Sequence, residues 1–313
     1  MSVARMQRMG LLALMAVIST WVVVGWNYVS VPFLILGALV VLLGHAGFLA
    51  LEFGLLSIHG VDPRGRPPTR AQFLRAWAGE VVHAARVFGW RQPWRSHAVD
   101  DWVPHASRTG VVLVHGFFCN RGFWNPWMAC LRAAEIPYVA VNLEPPFGSI
   151  DAYAESIDAA VRRVQEATTR PPVVVAHSMG GLAVRSWLAR SDAADRVQRV
   201  FTLGTPHGGT WLARFSSTLN GRQMRIGSPW LDALSNVEAT RSKNSLFVCY
   251  YSNCDNIVFP ASLATLPGAE SRCVEGLAHV HLAFEPPVMG EIVREIEATE
   301  PLPARTRAHA LSG

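Results

Sequence analysis

Residues 171–188 read PPVVVAHSMGGLAVRSWL. Val173, Val174 and Val175 form an unbroken β-branched run, the pattern of a strand covered on both faces. A helix-forming run follows at 182–188, and only a few residues part the two. Between them lies Ala176-His177-Ser178-Met179-Gly180, a G-x-S-x-G pentapeptide with alanine in the first place. A serine on so tight a strand-to-helix turn needs a strained backbone and small neighbours two residues away, and Ala176 and Gly180 are small. The turn lifts the Ser178 hydroxyl above the strand ends. It also leaves the Met179 N–H at a helix N-terminus, where partial positive charge favours a developing oxyanion. Ser178 is therefore the candidate nucleophile; the alternative is an ordinary strand–turn–helix with an incidental serine.

The rest of the body alternates in the same way. Strands are predicted at 111–114, 136–141, 173–176, 200–203, 246–250 and 272–275, with a helix over 149–168. Alternation of this kind gives the α/β class, a parallel sheet with helices on both faces and a site at the carboxyl ends of the strands. Val114-His115-Gly116-Phe117-Phe118 leaves the first of these strands. A loop curling over the site there offers the Phe117 N–H as a second oxyanion donor beside that of Met179.

A serine hydroxyl needs a base, and the base an orienting acid, in the chain order Ser, acid, His. Asp255, just past a strand in YYSNCDNIV, suits the acid. Asp232 and Glu238 lack a preceding strand, and Glu275 sits too near the histidine. His279 in VEGLAHVH suits the base, with His281 as its rival. His115 precedes the nucleophile and reads as structural, and His207 in TPHGGT reads as shaping its loop.

At these boxes the chain resembles the α/β-hydrolase lipases, in particular the small bacterial triacylglycerol lipases. The likeness runs over roughly 111–289 and is carried by VLVHGF, VVVAHSMGGLAVR, TLGTPHGGT, YYSNCDNIV and VEGLAHVHLAFEPPV. It implies an α/β-hydrolase fold and an ester hydrolase that needs no metal or organic cofactor. The family's roles fall on Ser178 as nucleophile, Asp255 as acid and His279 as base, with oxyanion N–H groups from Phe117 and Met179. The insertion at 211–243, with Trp211, Leu212, Phe215 and Trp230 among polar residues, is expected to be a cap or lid over an acyl pocket.

The amino-terminal part departs from secreted lipases. Only 16% of the 313 residues are charged, against about 25% in ordinary soluble domains, and none of Asp, Glu, Lys or Arg occurs from Gly10 to Leu51. Two apolar segments, 10–26 and 31–51, flank Asn27, Tyr28, Ser30 and Pro32. A bilayer crossing takes about 20 residues, so a transmembrane helical hairpin is predicted. Competing readings are a cleaved signal peptide, one bent crossing, or a buried hairpin of a soluble protein. Arg5 and Arg8 before the hairpin and Arg64, Arg66, Arg70 and Arg75 after it predict two crossings with both ends cytoplasmic. An inner bacterial membrane is the expected location, with the periplasmic side the alternative. Glu52 is expected at the interface, and His45 facing the partner helix.

The predicted organisation is a membrane anchor at 1–58, a linker with an amphipathic helix at 59–108, a catalytic domain at 109–300 and a flexible tail at 301–313. The amphipathic helix over 69–90 either lies on the membrane or covers one face of the domain. The net charge of +5 suits anionic headgroups; no nucleic-acid-binding pattern is present. The five cysteines form no CxxC, which argues against a zinc site. The expected function is hydrolysis of carboxylic esters, lipid esters foremost, through an acyl-enzyme, with membrane lipids as contacts of the hairpin. Acyl transfer or thioester cleavage on the same residues, and a non-catalytic membrane scaffold, are the alternatives.

Overall fold

Six short runs become six strands, β1 Val111–Val114, β2 Tyr138–Ala140, β3 Val173–His177, β4 Arg199–Leu203, β5 Phe247–Tyr251 and β6 Glu270–Cys273. They pair in the order β2-β1-β3-β4-β5-β6, all in parallel, with Val175 opposite Leu113 on one side and Phe201 on the other. The computed structural model describes residues 1–62, 65–190, 193–241 and 243–299. Arg64 and the predicted tail at 301–313 lie outside the described residues.

The helices are α1 Val3–Gly25, α2 Val31–His59, α3 Arg70–Ala84, α4 Gln92–Trp94, α5 Asn125–Ala133, α6 Ala154–Thr168, α7 Met179–Arg190, α8 Leu219–Gln223, α9 Pro229–Arg241, α10 His279–Leu282 and α11 Pro286–Ala298. Successive strand residues point to opposite faces, so one sheet makes two cores. Val112, Val114, Val174 and Ala176 pack with Val161 of α6 and Leu182 of α7. Val111, Leu113, Val173 and Val175 pack with Trp127 of α5 and Ile292 of α11. The burial of β1 and β3 on both sides explains why they carry no polar alternation. β6, at the edge, is polar and charged instead, which discourages pairing with another chain. The chain runs from β1 outward to β2, then crosses to β3 on the far side of β1. The winding therefore reverses between β1 and β3, where open α/β sheets bind ligands.

α1 and α2 are 23 and 29 residues long, and their most apolar 18-residue windows have mean hydropathies of 1.8 and 2.4; both are long and apolar enough to cross a membrane. Little of either is covered by protein: 6% of the most apolar window of α1 and 11% of that of α2 are buried. They form a hairpin. The Trp21 indole N–H donates to the Leu34 carbonyl at 3.0 Å, and Gly37 makes room for that ring, since a Cβ there would lie 2.3 Å from its nitrogen. Both helices are tied to the body, α1 near its start and α2 at its middle. Gln7 donates to the Phe118 carbonyl at 3.2 Å, and Trp77 of α3 donates to the Ala46 carbonyl at 3.1 Å.

The segment expected as one amphipathic helix over 69–90 is α3 followed by a π-helical stretch, Ala85–Arg91. A reciprocal pair of hydrogen bonds between Thr69 and Gln72 starts it. α3 lies between α2 and the 275–285 loop, and its Glu80 is buried rather than on a solvated face.

The insertion at 211–243 packs on the body. Arg185 of α7, 1% exposed, grips Glu238 of α9 through Nε at 2.8 Å and Nη2 at 2.6 Å, and Trp230 donates to Asp151 at 3.0 Å. α9 is thus held against α7 by a buried ion pair, and among the described residues the insertion contributes nothing to the lining of the cavity that contains Ser178.

Candidate active site

Ser178 joins β3 to α7 with φ 54°, in the left-handed region that a non-glycine residue seldom adopts. Three bonds hold it there. Its N–H donates to the Leu203 carbonyl at 2.9 Å, and its carbonyl accepts from Gly181 N at 3.0 Å and from Thr205 Oγ1 at 2.9 Å. The glycines of AHSMGG serve this turn. A Cβ on Gly180 would meet the His115 carbonyl oxygen at 2.5 Å, and one on Gly181 would meet Thr205 Oγ1 at 2.2 Å. Gly116 lies against the serine, where a Cβ would come within 2.7 Å of Ser178 Cβ. The loop after β1 thus brings Phe117 beside Ser178, and both line one cavity. The Met179 N–H, first in α7, has no acceptor within its helix.

Asp255 follows β5 and is 1% exposed. Its Oδ1 accepts from Ile257 N at 2.9 Å and Val258 N at 2.8 Å, which fixes the carboxylate. His279 opens α10, and its Nδ1 lies 3.0 Å from Oδ1 and 2.9 Å from Oδ2. A carboxylate only accepts, so Nδ1 carries the proton and Nε2 keeps its lone pair. Burial pushes the imidazole pKa down. Asp255 first, then Glu80 and Glu52, more than offset this, and the net shift is upward from 6.5. Ser178 and His279 line the same cavity. Among the described residues no hydrogen bond joins their side chains; in resting enzymes such contacts are commonly long and tighten with substrate.

The structure therefore gathers Ser178, Asp255, His279, Phe117 and Met179 at the switch point of the sheet. The rejected candidates are engaged elsewhere. His115 Nε2 accepts from Leu143 N at 3.1 Å, His207 bonds Thr202 and Cys249 under the sheet, and His281 pairs with Glu285 at 3.0 Å. Glu275 accepts from Gln72. Two polar residues of the hairpin turn towards the body. Glu52 is buried and accepts from Asn256 Nδ2 at 2.7 Å, because the body covers the end of α2. His45 lines the cavity that contains Ser178, because that face of α2 turns towards the body.

Four groups escaped sequence reasoning. Asn256 Oδ1 accepts from His279 N at 3.1 Å. Glu80 accepts from Val280 N at 3.0 Å and His281 N at 3.0 Å. The first N–H groups of a helix lack internal acceptors and Ala278 offers none, so Glu80 caps α10 from α3. Burial, opposed by those bonds, raises its pKa to about 7. Gly204, φ +57°, sits under the acid–base pair, where a Cβ would lie 2.9 Å from Asp255 Oδ2. His177 Nε2 donates to the His279 carbonyl at 3.1 Å. For Glu80 the sequence offered no decisive signal, since His83 stands three residues on along the same helix. Asn256 and Gly204 stood inside quoted boxes, but nothing in a linear sequence aims them at His279.

Among the described residues no group of three or more His, Cys, Asp or Glu side chains is placed to hold a metal ion. All five cysteines are free thiols.

A model described as the alpha/beta hydrolase family matches residues 111–246. The fold is that of an α/β hydrolase. Among solved structures, the mature lipase BlEst2 of Bacillus licheniformis superposes with a TM-score of 0.55 at 18% identity, covering 62% of this chain and 94% of that one. Lipase B of Aspergillus fumigatus gives 0.53 at 17% identity, covering 61% and 52%. At these identities the likeness is one of fold. No curated protein matches the sequence. The matched segment leaves out the hairpin and α3, which supply Glu52 and Glu80.

Proposed function

We propose that the chain is a serine hydrolase, anchored in a membrane by α1 and α2, that cleaves carboxylic esters of lipids through an acyl-enzyme. His279 Nε2 takes the Ser178 proton as Oγ attacks the carbonyl carbon. The carbonyl π pair moves onto oxygen, which the N–H groups of Phe117 and Met179 receive. Collapse expels the alcohol, which takes the proton back from His279. Water then enters by the same route in reverse and releases the acid. Asp255 keeps Nδ1 protonated and stabilises the imidazolium.

One observation carries the reading. A buried carboxylate–imidazole pair shares a cavity with a serine whose backbone is held at φ 54°. Strain of that kind costs roughly 1–3 kcal/mol and persists where the surroundings impose it, commonly at reactive sites. The anchor rests on the two apolar helices and their small protein-covered area. Basic residues at both body-side ends support a cytoplasmic catalytic body. The test is Ser178→Ala assayed on a nitrophenyl ester. Activity should drop to background; full activity in the variant would overturn the assignment.

A further inference from the structure

The cavity that holds Ser178 and His279 measures about 1020 Å³. Phe117, Phe118 and Ile257 of the body line it together with the hairpin, through Leu11 and Leu14 of α1 and the face of α2 from Val41 to Glu52. A simple anchor would stand away from the chemistry. Here the most apolar segments of the chain are part of the site.

The polar lining gathers about His279, where Asn256 bonds its N–H, Glu80 bonds that of Val280 and Glu52 bonds Asn256, while Leu11, Leu14 and Val41 of the hairpin supply apolar lining. The cavity is also open along α2: Leu42 and Phe48 line it, yet are 48% and 61% exposed. From Leu42 to Glu52 a helix rises about 15 Å, half of the ~30 Å hydrocarbon core and so the depth of one leaflet. The uncharged stretch ends at Leu51, which sets Glu52 and the serine beside it at the level where a lipid carries its esters.

We infer that the hairpin forms the acyl-binding wall of the site, and that a bilayer lipid ester enters sideways along α2 with its chain still in the leaflet. This rests on the hydrolase reading and adds the source of chain selectivity. The polar lining takes the ester and alcohol portion, and the apolar lining takes the chain. The residues that measure chain length are then on α1 and α2, not in the insertion at 211–243. Among the described residues that insertion contributes nothing to the cavity lining.

Gly44 offers the test. It lines the cavity, shares its helix face with Val41 and Phe48, and a Cβ there meets no atom within 4 Å. Gly44→Phe should therefore fill the cavity without forcing the helix apart. Full-length protein in phosphatidylcholine nanodiscs is assayed with nitrophenyl palmitate and nitrophenyl butyrate. The palmitate-to-butyrate ratio of kcat/KM should fall at least tenfold in Gly44→Phe. It should hold in Gly47→Phe, which adds the same bulk on the same helix at an equally open Cβ position outside the cavity lining. Equal ratios in both variants overturn the inference and leave the hydrolase standing. Should the wild type cleave neither ester, the hydrolase reading fails, and a diazirine-bearing diacylglycerol in the same nanodiscs decides the inference. Crosslinks to Phe117 or Phe118 that Gly44→Phe abolishes support it, and their absence from the wild type overturns it. Gly89→Leu, at a second lining glycine with an equally open Cβ position, serves if Gly44→Phe does not fold.

Discussion

Asp255→Asn separates charge and tautomer from shape. Oδ1 of Asp255 is pinned by two backbone donors, Ile257 N at 2.9 Å and Val258 N at 2.8 Å. In the asparagine variant the amide oxygen must take that place, because an NH₂ group there would face two N–H donors. The NH₂ then occupies the Oδ2 position, 2.9 Å from His279 Nδ1. It donates, so Nδ1 must accept, and the ring proton moves to Nε2. That nitrogen faces the cavity without a lone pair, and Ser178 loses its base. The same substitution at an equivalent pair lowers kcat about 10⁴-fold, or about 5 kcal/mol of barrier. The assay is kcat on nitrophenyl butyrate with full-length protein, together with thermal unfolding to show that the fold survives. Loss of the carboxylate also removes the main influence holding the imidazole pKa up, so residual activity should extend to lower pH. A folded variant with more than a tenth of wild-type kcat would refute the tautomer argument.

Gly204→Ala places a Cβ 2.9 Å from Asp255 Oδ2 and 3.1 Å from His279 Nδ1 at φ +57°; kcat should fall about 10–100-fold, since a 1 Å misplacement costs about 10², and wild-type kcat would count against the geometry. The acid limb of kcat/KM should lie above pH 6.5, because His279 must be neutral to act and its pKa is raised. Glu80→Gln keeps an acceptor for Val280 and His281 but removes a negative neighbour, so that limb should move to lower pH; a change in rate with no shift in the profile would reduce Glu80 to a cap. Glu238→Ala leaves Arg185 buried and unpaired, and should cost about 3–5 kcal/mol of stability in denaturant unfolding.

The sequence exposed those features whose physics is local. The β-branched run at 173–175 can only be covered on both faces, and the tight strand–turn–helix around AHSMGG marks its serine, although the glycines themselves answer to distant atoms, the His115 carbonyl and Thr205 Oγ1. The uncharged stretch from Gly10 to Leu51 likewise carried its own meaning. The relation between anchor and body was not legible. Glu80 reaches α10 across 200 residues, and Glu52 meets Asn256 across 204; no periodicity encodes either. The packing of the insertion at 211–243 was not legible either, because apolar residues look alike whether they cover a ligand or a helix, and the pairing of Glu238 with Arg185 spans 53 residues.

The most direct test of the central claim is labelling of the full-length protein with a fluorophosphonate, followed by mass spectrometry of the modified peptide. One phosphonate per chain, on Ser178, with labelling slowed at least a hundredfold by His279→Ala, is the result this account predicts. A folded protein that remains unlabelled, or that is labelled at another residue, would contradict it.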